Sequence, residues 1–252
     1  MKFKLICGLL TFGVFSAVAY GQGTSPKAAM ASVSRAPTAV QIIEKYVKAI
    51  GGREAFLKFK TRTMKGTIEL SPMGVKGPFE AFAAADDKTL LKANLTGIGE
   101  LIDGYDGKVG WTVNPIQGSR VKAGQELLQV KQNSSFYREI NLDKTYSKLE
   151  ANGTEKIGDK TANIVLATSE GLHAETLYFD TESGLLLRAD STSVTPEGSQ
   201  PIKNFYEDYR DSDGMKLPFK TRTVTAAFEI ITLVTEVKNG VPIEDAKFAQ
   251  PK

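Results

Sequence analysis

The sequence predicts a mainly β protein, an antiparallel sheet of about a dozen strands with one helix before it and another near its middle. Short runs that alternate apolar and polar residues follow one another from residue 63 to residue 237, as half-buried strands do. Turn dipeptides of the Asp-Gly and Asn-Gly type separate many of these runs and favour tight hairpins between antiparallel neighbours. Because strands and helices do not alternate along the chain, we do not expect a parallel sheet.

The first 21 residues have the three-part composition of a secretory signal peptide. A lysine-containing start precedes residues 5–19, which are uncharged and mostly apolar, and small residues then stand at cleavage spacing after Ala19 or Gly21. An apolar run of about 15 residues is shorter than the roughly 20 that span a bilayer as a helix. We therefore expect a cleavable signal, a periplasmic location and a soluble mature chain with no transmembrane segment.

Residues 22–37 are small and polar without apolar periodicity, which is typical of a flexible linker. The remainder, 38–252, we interpret as a single domain. At its start Thr38 and Gln41 have capping-box spacing, and apolar residues then recur at helical spacing for about three turns. A Gly-Gly pair favours the end of this amphipathic helix, and residues 53–59 favour a short second helical turn.

The strand pattern follows these helices and covers most of the domain. The strand-like runs are 63–70, 77–85, 88–95, 99–105, 108–113, 146–156, 162–169, 175–180, 185–193, 202–210, 217–225 and 228–237. Residues 123–137 interrupt the series with apolar positions in a helix-forming context and predict a second helix. Two segments, 185–187 and 228–234, are apolar on both faces. Either a helix covers their second face, or that face lines an internal apolar space.

The composition excludes several classes of site. Cys7 is the only cysteine and lies in the signal, ahead of its apolar core, so a lipoprotein anchor, a Cys nucleophile and a Cys/His zinc site are excluded. A Ser-His-Asp triad would need His173, the only histidine, which we interpret as a solvated residue at a strand end. From Thr38 onward 28 basic residues face 29 acidic ones, and this near-neutral body argues against nucleic acid as a partner.

The acidic clusters favour turns over chemistry. The segment 208–214 has part of a calcium-loop pattern, but Phe219 stands where the closing glutamate is needed, so we expect a solvated hairpin turn. Asp103 and Asp106 flank another turn, and nothing near them in the sequence suggests a catalytic carboxylate pair. The serines at 134–135 lack a Gly-x-Ser-x-Gly frame. We expect no catalytic residue, no metal site and no cofactor.

Four segments together resemble a known family. They are Ile42–Gly52, Gly104–Pro115 (GYDGKVGWTVNP), Thr176–Leu187 and Ile243–Phe248. In this order they resemble bacterial outer-membrane lipoprotein-sorting proteins of the LolA/LolB-like superfamily. The resemblance implies an incomplete antiparallel β-barrel of about 11–12 strands wrapped over one or two helices, with an apolar concavity for acyl chains and no catalytic residue. It also implies an arginine that latches a helical lid, which the sequence does not assign to any one arginine. The missing mature N-terminal cysteine excludes a lipidated receptor of the LolB type.

We therefore expect a non-enzymatic binding or carrier protein for lipid or lipoprotein acyl groups. The alternative is a periplasmic interaction module of envelope assembly, whose partners are envelope proteins and whose cavity is filled by its own side chains. A third hypothesis is a hydrolase that uses His173. If an apolar cavity exists, the expected lining is Phe79, Trp111, Leu177, Phe179, Leu185, Leu187, Phe228 and Ile230. For Trp111 a plain core role beneath the Asp106-Gly107 turn is the competing interpretation.

Overall fold

Two short helices open the folded part of the chain, as predicted. The computed structural model describes residues 36–115 and 118–251, so the predicted signal peptide and most of the predicted linker lie outside the described residues. Helix α1 runs from Ala39 to Ala49 and helix α2 from Gly52 to Leu57. Thr38 forms the predicted capping box with Gln41, its N–H donating to Gln41 Oε1 at 2.9 Å. Gly51 separates the helices at φ 111°, a conformation that favours glycine.

Thirteen described strands form one antiparallel sheet that is not closed into a barrel. They are β1 Thr61–Ser71, β2 Val75–Ala84, β3 Lys88–Leu95, β4 Gly99–Tyr105, β5 Gly110–Asn114, β6 Gly118–Val121, β7 Lys148–Ile157, β8 Lys160–Thr168, β9 Glu175–Asp180, β10 Leu186–Thr195, β11 Gly198–Ser212, β12 Met215–Val224 and β13 Glu229–Asn239. Their order is β6-β5-β4-β3-β2-β1-β13-β12-β11-β10-β9-β8-β7. The pairing of β1 with β13 joins two hairpin series, and β6 and β7 are the two edges.

The remaining helical segments connect these two edges or follow the sheet. Helix α3, Gly124–Asn133, confirms the predicted second helix but ends four residues earlier than expected. A 3-10 helix at Arg138–Ile140 and helix α4, Leu142–Thr145, come next, and a second 3-10 helix at Asp245–Phe248 lies near the C-terminus. None of the described helices is long and apolar enough to cross a membrane.

Strand register divides the sheet into two faces. On β1 the residues Arg62, Met64 and Ile68 share one face, because side chains alternate along a strand. Arg62 contacts the ring of Phe56 in α2, so this face carries the opening helices, and we call it the inner face. Trp111 on β5 pairs with Gly104 on β4, and the strand register places this pair on the face opposite to that of Arg62. We call it the outer face.

Apolar side chains form three clusters on these faces. The helix-covered core joins α1, α2 and α4 to β8, β9, β10 and β12, and its buried members are Ala39, Ile42, Ile43, Tyr46, Val47, Ile50, Ala55, Phe56, Ile140, Leu142, Tyr146, Val165, Ala167, Leu177, Phe179, Ala189, Met215 and Leu217. The strand floor has the buried residues Ile68, Phe79, Ala93 and Leu95. The back cluster, on the outer face, consists of Ala84, Leu90, Ile102, Trp111 and Phe248.

Candidate functional site

A small, partly open cavity lies under α1, between the 3-10 helix at Arg138–Ile140 and the sheet. Its volume is about 130 Å³. The polar and aromatic part of its lining is Tyr46, Arg138, Glu139, Tyr146, Tyr206, Tyr209 and Lys216. An engineered cavity of about 150 Å³ holds one benzene molecule. This cavity therefore accommodates a small group and not an extended acyl chain.

A charged network occupies one wall of this cavity. The Arg138 guanidinium donates to Tyr146 Oη at 2.5 Å and to Glu175 at 3.2 Å, and Tyr146 Oη donates to Glu175 at 2.9 Å. Burial alone lowers the pKa of Arg138, but Tyr146 and Glu175 outweigh it, so the pKa is raised. For Tyr206 and Tyr209 burial has the opposite effect and raises the pKa of each hydroxyl. The tyrosine hydroxyls are therefore neutral and the arginine is charged across the physiological range.

The strand floor is a second apolar region of the inner face. Around its buried residues lie half-buried apolar side chains from β1–β4, β13 and the β3–β4 turn: Met64, Leu70, Val75, Ala81, Leu91, Ile98, Leu101, Ile230 and Val234. Every residue of this cluster belongs to a strand or to a turn between strands, in contrast to the helix-covered core. Gly66 lets the Phe79 ring lie across the floor, since a Cβ there would stand 2.7 Å from that ring.

A hollow in the floor leads to a buried charge. Its volume is about 170 Å³, and Met64, Ala81 and Leu91 line its apolar part. Arg62 also lines the hollow, as does Asp103, which forms an ion pair with Lys122 at 2.6 Å. The hollow thus combines an apolar wall with one arginine that makes no ion pair with any described residue.

Helix α3 bridges the inner face through polar contacts. None of its residues is buried. Its Gln129 side chain donates to the Thr192 carbonyl at 2.6 Å and accepts from the Val194 N–H at 3.2 Å. The side-chain amide thus makes the same pair of hydrogen bonds to β10 that the backbone of a neighbouring strand makes. Between α3 and the sheet lies a polar hollow of about 360 Å³ lined by Ser191, Ser193 and Asn204 among others. Polar contacts therefore attach α3 to the sheet.

An arginine ties α2 to the segment that follows α3. Arg53 donates to the Ile140 carbonyl and to Asn141 Oδ1 at 3.0 Å, and it lies 3.5 Å from Asp143. These contacts fasten the opening helices to the 3-10 helix and to α4. Arg53 thus lies between the helical elements and contacts both.

The eight residues predicted for a lining fall into separate places. Phe79 and Ile230 belong to the strand floor, and Phe228 lies just before β13 in the same hairpin. Leu177 and Phe179 belong to the helix-covered core, where Leu177 also lines the small cavity.

The other three predicted residues lie at the edges of these regions or behind them. Leu185 packs against the helix-covered core, and Leu187 shares with it an open hollow beside Phe205. Trp111 is 1% exposed in the back cluster, and its ring lies over Gly104, 2.4 Å from where a Cβ would stand. The eight residues therefore do not line one cavity, and their role in binding stays a prediction.

The other candidates from the sequence have structural surroundings. His173 is exposed in the loop before β9, as predicted. Asp106 accepts from the N–H groups of its own turn, at 2.7 Å from Val109 N. Asp208 pairs with Arg210 at 2.6 Å beside the β11–β12 hairpin, the turn that was expected there. Among the described residues no group of three or more metal-ligating side chains exists.

Sequence reasoning missed Arg62 and the tyrosine-lined cavity. Arg62 stands in phase with Met64 and Ile68 on β1, and a charged residue in the apolar phase of a strand was the available signal. The tyrosines are far apart in the sequence: Tyr46 belongs to α1, Tyr146 follows α4, and Tyr206 and Tyr209 belong to β11. Spacing along the chain does not reveal that they meet.

An open antiparallel sheet with helices on its inner face defines a class of protein, and comparison with solved structures identifies that class. No family model and no curated protein sequence matches this chain. A LolA superfamily protein from Nitrosomonas europaea is similar at 14% identity, over 85% of this chain and 99% of that one, with a TM-score of 0.57. A DUF1329 family protein from Desulfovibrio piger is similar at 14% identity, over 84% and 97%, with a TM-score of 0.56.

A third solved structure agrees with these two. An outer-membrane lipoprotein-sorting protein domain from Vibrio parahaemolyticus is similar at 8% identity, over 82% of this chain and 97% of that one, with a TM-score of 0.50. The chain therefore has a LolA-like fold, and the predicted resemblance is confirmed at the level of the fold. At these identities the likeness concerns the fold alone.

Proposed function

We propose that this protein is a non-enzymatic periplasmic carrier that binds the acyl chain of a lipid or lipoprotein on its strand floor. The observation that carries the proposal is the floor itself, an apolar inner face whose rim residues, such as Met64, Leu101 and Ile230, are only half buried. Monomeric proteins rarely leave a contiguous apolar face of this kind open without a function.

The physical chemistry of the floor suits an acyl chain. Burial of one methylene group stabilises by about 0.8 kcal/mol, so a contact of about ten methylenes contributes several kcal/mol. The small cavity under α1 is too short for such a chain, and the floor is the apolar surface that we propose for it. No group on the floor needs to react, since transfer of a lipid requires only binding and release.

Helix α3 supplies a lid in this proposal. It is attached through polar contacts such as those of Gln129 with β10, and none of its residues is buried. Breaking these contacts costs less than breaking the apolar core that holds α1 and α2, so α3 can swing without unfolding the sheet. Likeness to the LolA superfamily supports the carrier role and the periplasmic location.

Native mass spectrometry of the protein purified from the periplasm tests the proposal directly. We expect co-purifying lipid, and saturable binding of the fluorescent fatty acid cis-parinarate by the delipidated protein. Ile230→Asn on the floor should weaken cis-parinarate binding about tenfold, whereas Leu233→Asn, on the outer face of the same strand and 42% exposed, should leave it unchanged.

Two outcomes count against the carrier. A clean apo mass together with no cis-parinarate binding would overturn it and favour the interaction module of envelope assembly. Equal losses in both β13 variants would remove the strand floor from the site.

A further inference from the structure

Arg62 stands at the boundary between the helix-covered core and the strand floor. It lies on β1 with its side chain on the inner face, and it is 6% exposed. On one side it contacts Phe56 and Phe136, whose ring centroids lie 5.8 Å and 5.5 Å from the guanidinium carbon. On the other side it lines the hollow in the floor, together with Met64, the next residue of β1 on the same face.

The partners of this guanidinium are all neutral. Its Nε donates to Asn239 Oδ1 at 3.0 Å and one terminal nitrogen lies 3.4 Å from Met215 Sδ. Among the described residues, no carboxylate lies within ion-pair distance of Arg62. Burial lowers the pKa of Arg62, and the charge of Glu139 opposes that effect from farther away. A buried cation without an adjacent anion is unfavourable, so a negative group in direct contact with Arg62 would stabilise the charge.

The hollow beside Arg62 is shaped for an anion with an apolar tail. Its volume is about 170 Å³, and Met64, Ala81 and Leu91 form its apolar wall. Asp103 also lines it, but the ion pair with Lys122 at 2.6 Å offsets that negative charge. From the hollow the floor continues along β1 to Leu70, about 26 Å from Arg62 at a rise of roughly 3.3 Å per residue.

We infer that the ligand of the strand floor is a fatty carboxylate, with its head group on Arg62 and its tail along the floor toward Leu70. This inference rests on the proposed function and names the class of ligand. A carboxylate offers two oxygens to the planar guanidinium and supplies the missing negative charge. A neutral ester or alcohol would occupy the same floor and leave Arg62 without an anion.

Calorimetric titration of the delipidated full-length mature protein with laurate and with 1-dodecanol separates head group from tail, because the two ligands share the same alkyl chain length. We expect wild-type protein to bind laurate at least tenfold more tightly than 1-dodecanol. Arg62→Met should bring laurate to the affinity of 1-dodecanol and leave the affinity for 1-dodecanol unchanged. Arg62→Lys should retain part of the preference.

The matched control is Arg222→Met, an arginine on the outer face that pairs with Glu229 at 3.2 Å. It should bind both ligands as the wild type does. Equal affinity of the wild type for laurate and 1-dodecanol overturns the carboxylate assignment while acyl binding stands. Binding of neither ligand overturns the proposed function itself. Should Arg62→Met fail to fold, the wild-type ratio of the two Kd values decides alone.

Discussion

The two halves of the sheet bury their inner faces by different means. From β7 to β12 the opening helices seal the inner face, and Tyr46 of α1 packs its ring 5.2 Å from that of Phe179 on β9. From β13 to β4 strand residues alone form the inner cluster, while the C-terminal segment seals the outer face through Phe248. Apolar residues of the first half therefore pack against helices, and those of the second half pack against one another on the sheet.

The largest effect should come from the helix-covered core. Phe179→Ala removes a fully buried ring and leaves a cavity between α1 and β9, so we expect a loss of about 3–5 kcal/mol in the free energy of unfolding. Urea denaturation measures this loss. A loss below about 1 kcal/mol would mean that the helices do not seal this half, and the contrast between the halves would fail.

The back cluster should be the second most sensitive place. Phe248→Ala removes a buried ring from the cluster that contains Trp111, and we expect a loss of about 3 kcal/mol. Since Trp111 is the only tryptophan, its fluorescence reports the change as a red shift in the folded state. An unshifted spectrum would show that the C-terminal segment does not shield the outer face.

Much of this architecture is predictable from the sequence, because it depends on local patterns. Strands β3, β4 and β9 lie at the predicted bounds, and the capping box of α1 is confirmed at Thr38. The four-residue strand β6 and the four-residue helix α4 were not predicted, because segments this short show no periodicity.

The candidate site was harder to predict than the fold. Alternation places Phe79 and Ile230 on one face of their own strands, but it does not say which face the helices cover. Trp111 and Leu177 have similar local patterns and lie on opposite faces, because the C-terminal segment and α1 cover different sides. Only tertiary structure contains that information.

Alkaline pH should destabilise the helix-covered half, because a buried tyrosine lines the cavity there. Burial raises the pKa of Tyr206, while the charge of Arg138 opposes this. Above pH 10 the unfolded chain loses the phenolic proton that the folded protein keeps, so stability is full below pH 10 and falls as the pH rises. Each unit of pKa difference corresponds to about 1.4 kcal/mol. Tyr206→Phe should therefore lose less stability between pH 8 and pH 11 than the wild type, measured by urea denaturation. Identical pH profiles would contradict the burial of this hydroxyl.

The smallest effect on stability should come from the strand floor, and a matched pair of leucines makes the comparison direct. Leu217→Ala in the helix-covered core should cost about 2–5 kcal/mol, because the cavity it leaves is enclosed. Leu101→Ala on the floor should cost about 1 kcal/mol, because its half-buried side chain already borders open space and water fills the gap. Acyl binding should reverse this order, since only Leu101 belongs to the floor. We expect cis-parinarate affinity to fall several-fold in Leu101→Ala and to stay near the wild-type value in folded Leu217→Ala. If both substitutions cost the same stability, the floor is as tightly packed as the helix-covered core, and an acyl chain has no open inner face on which to bind.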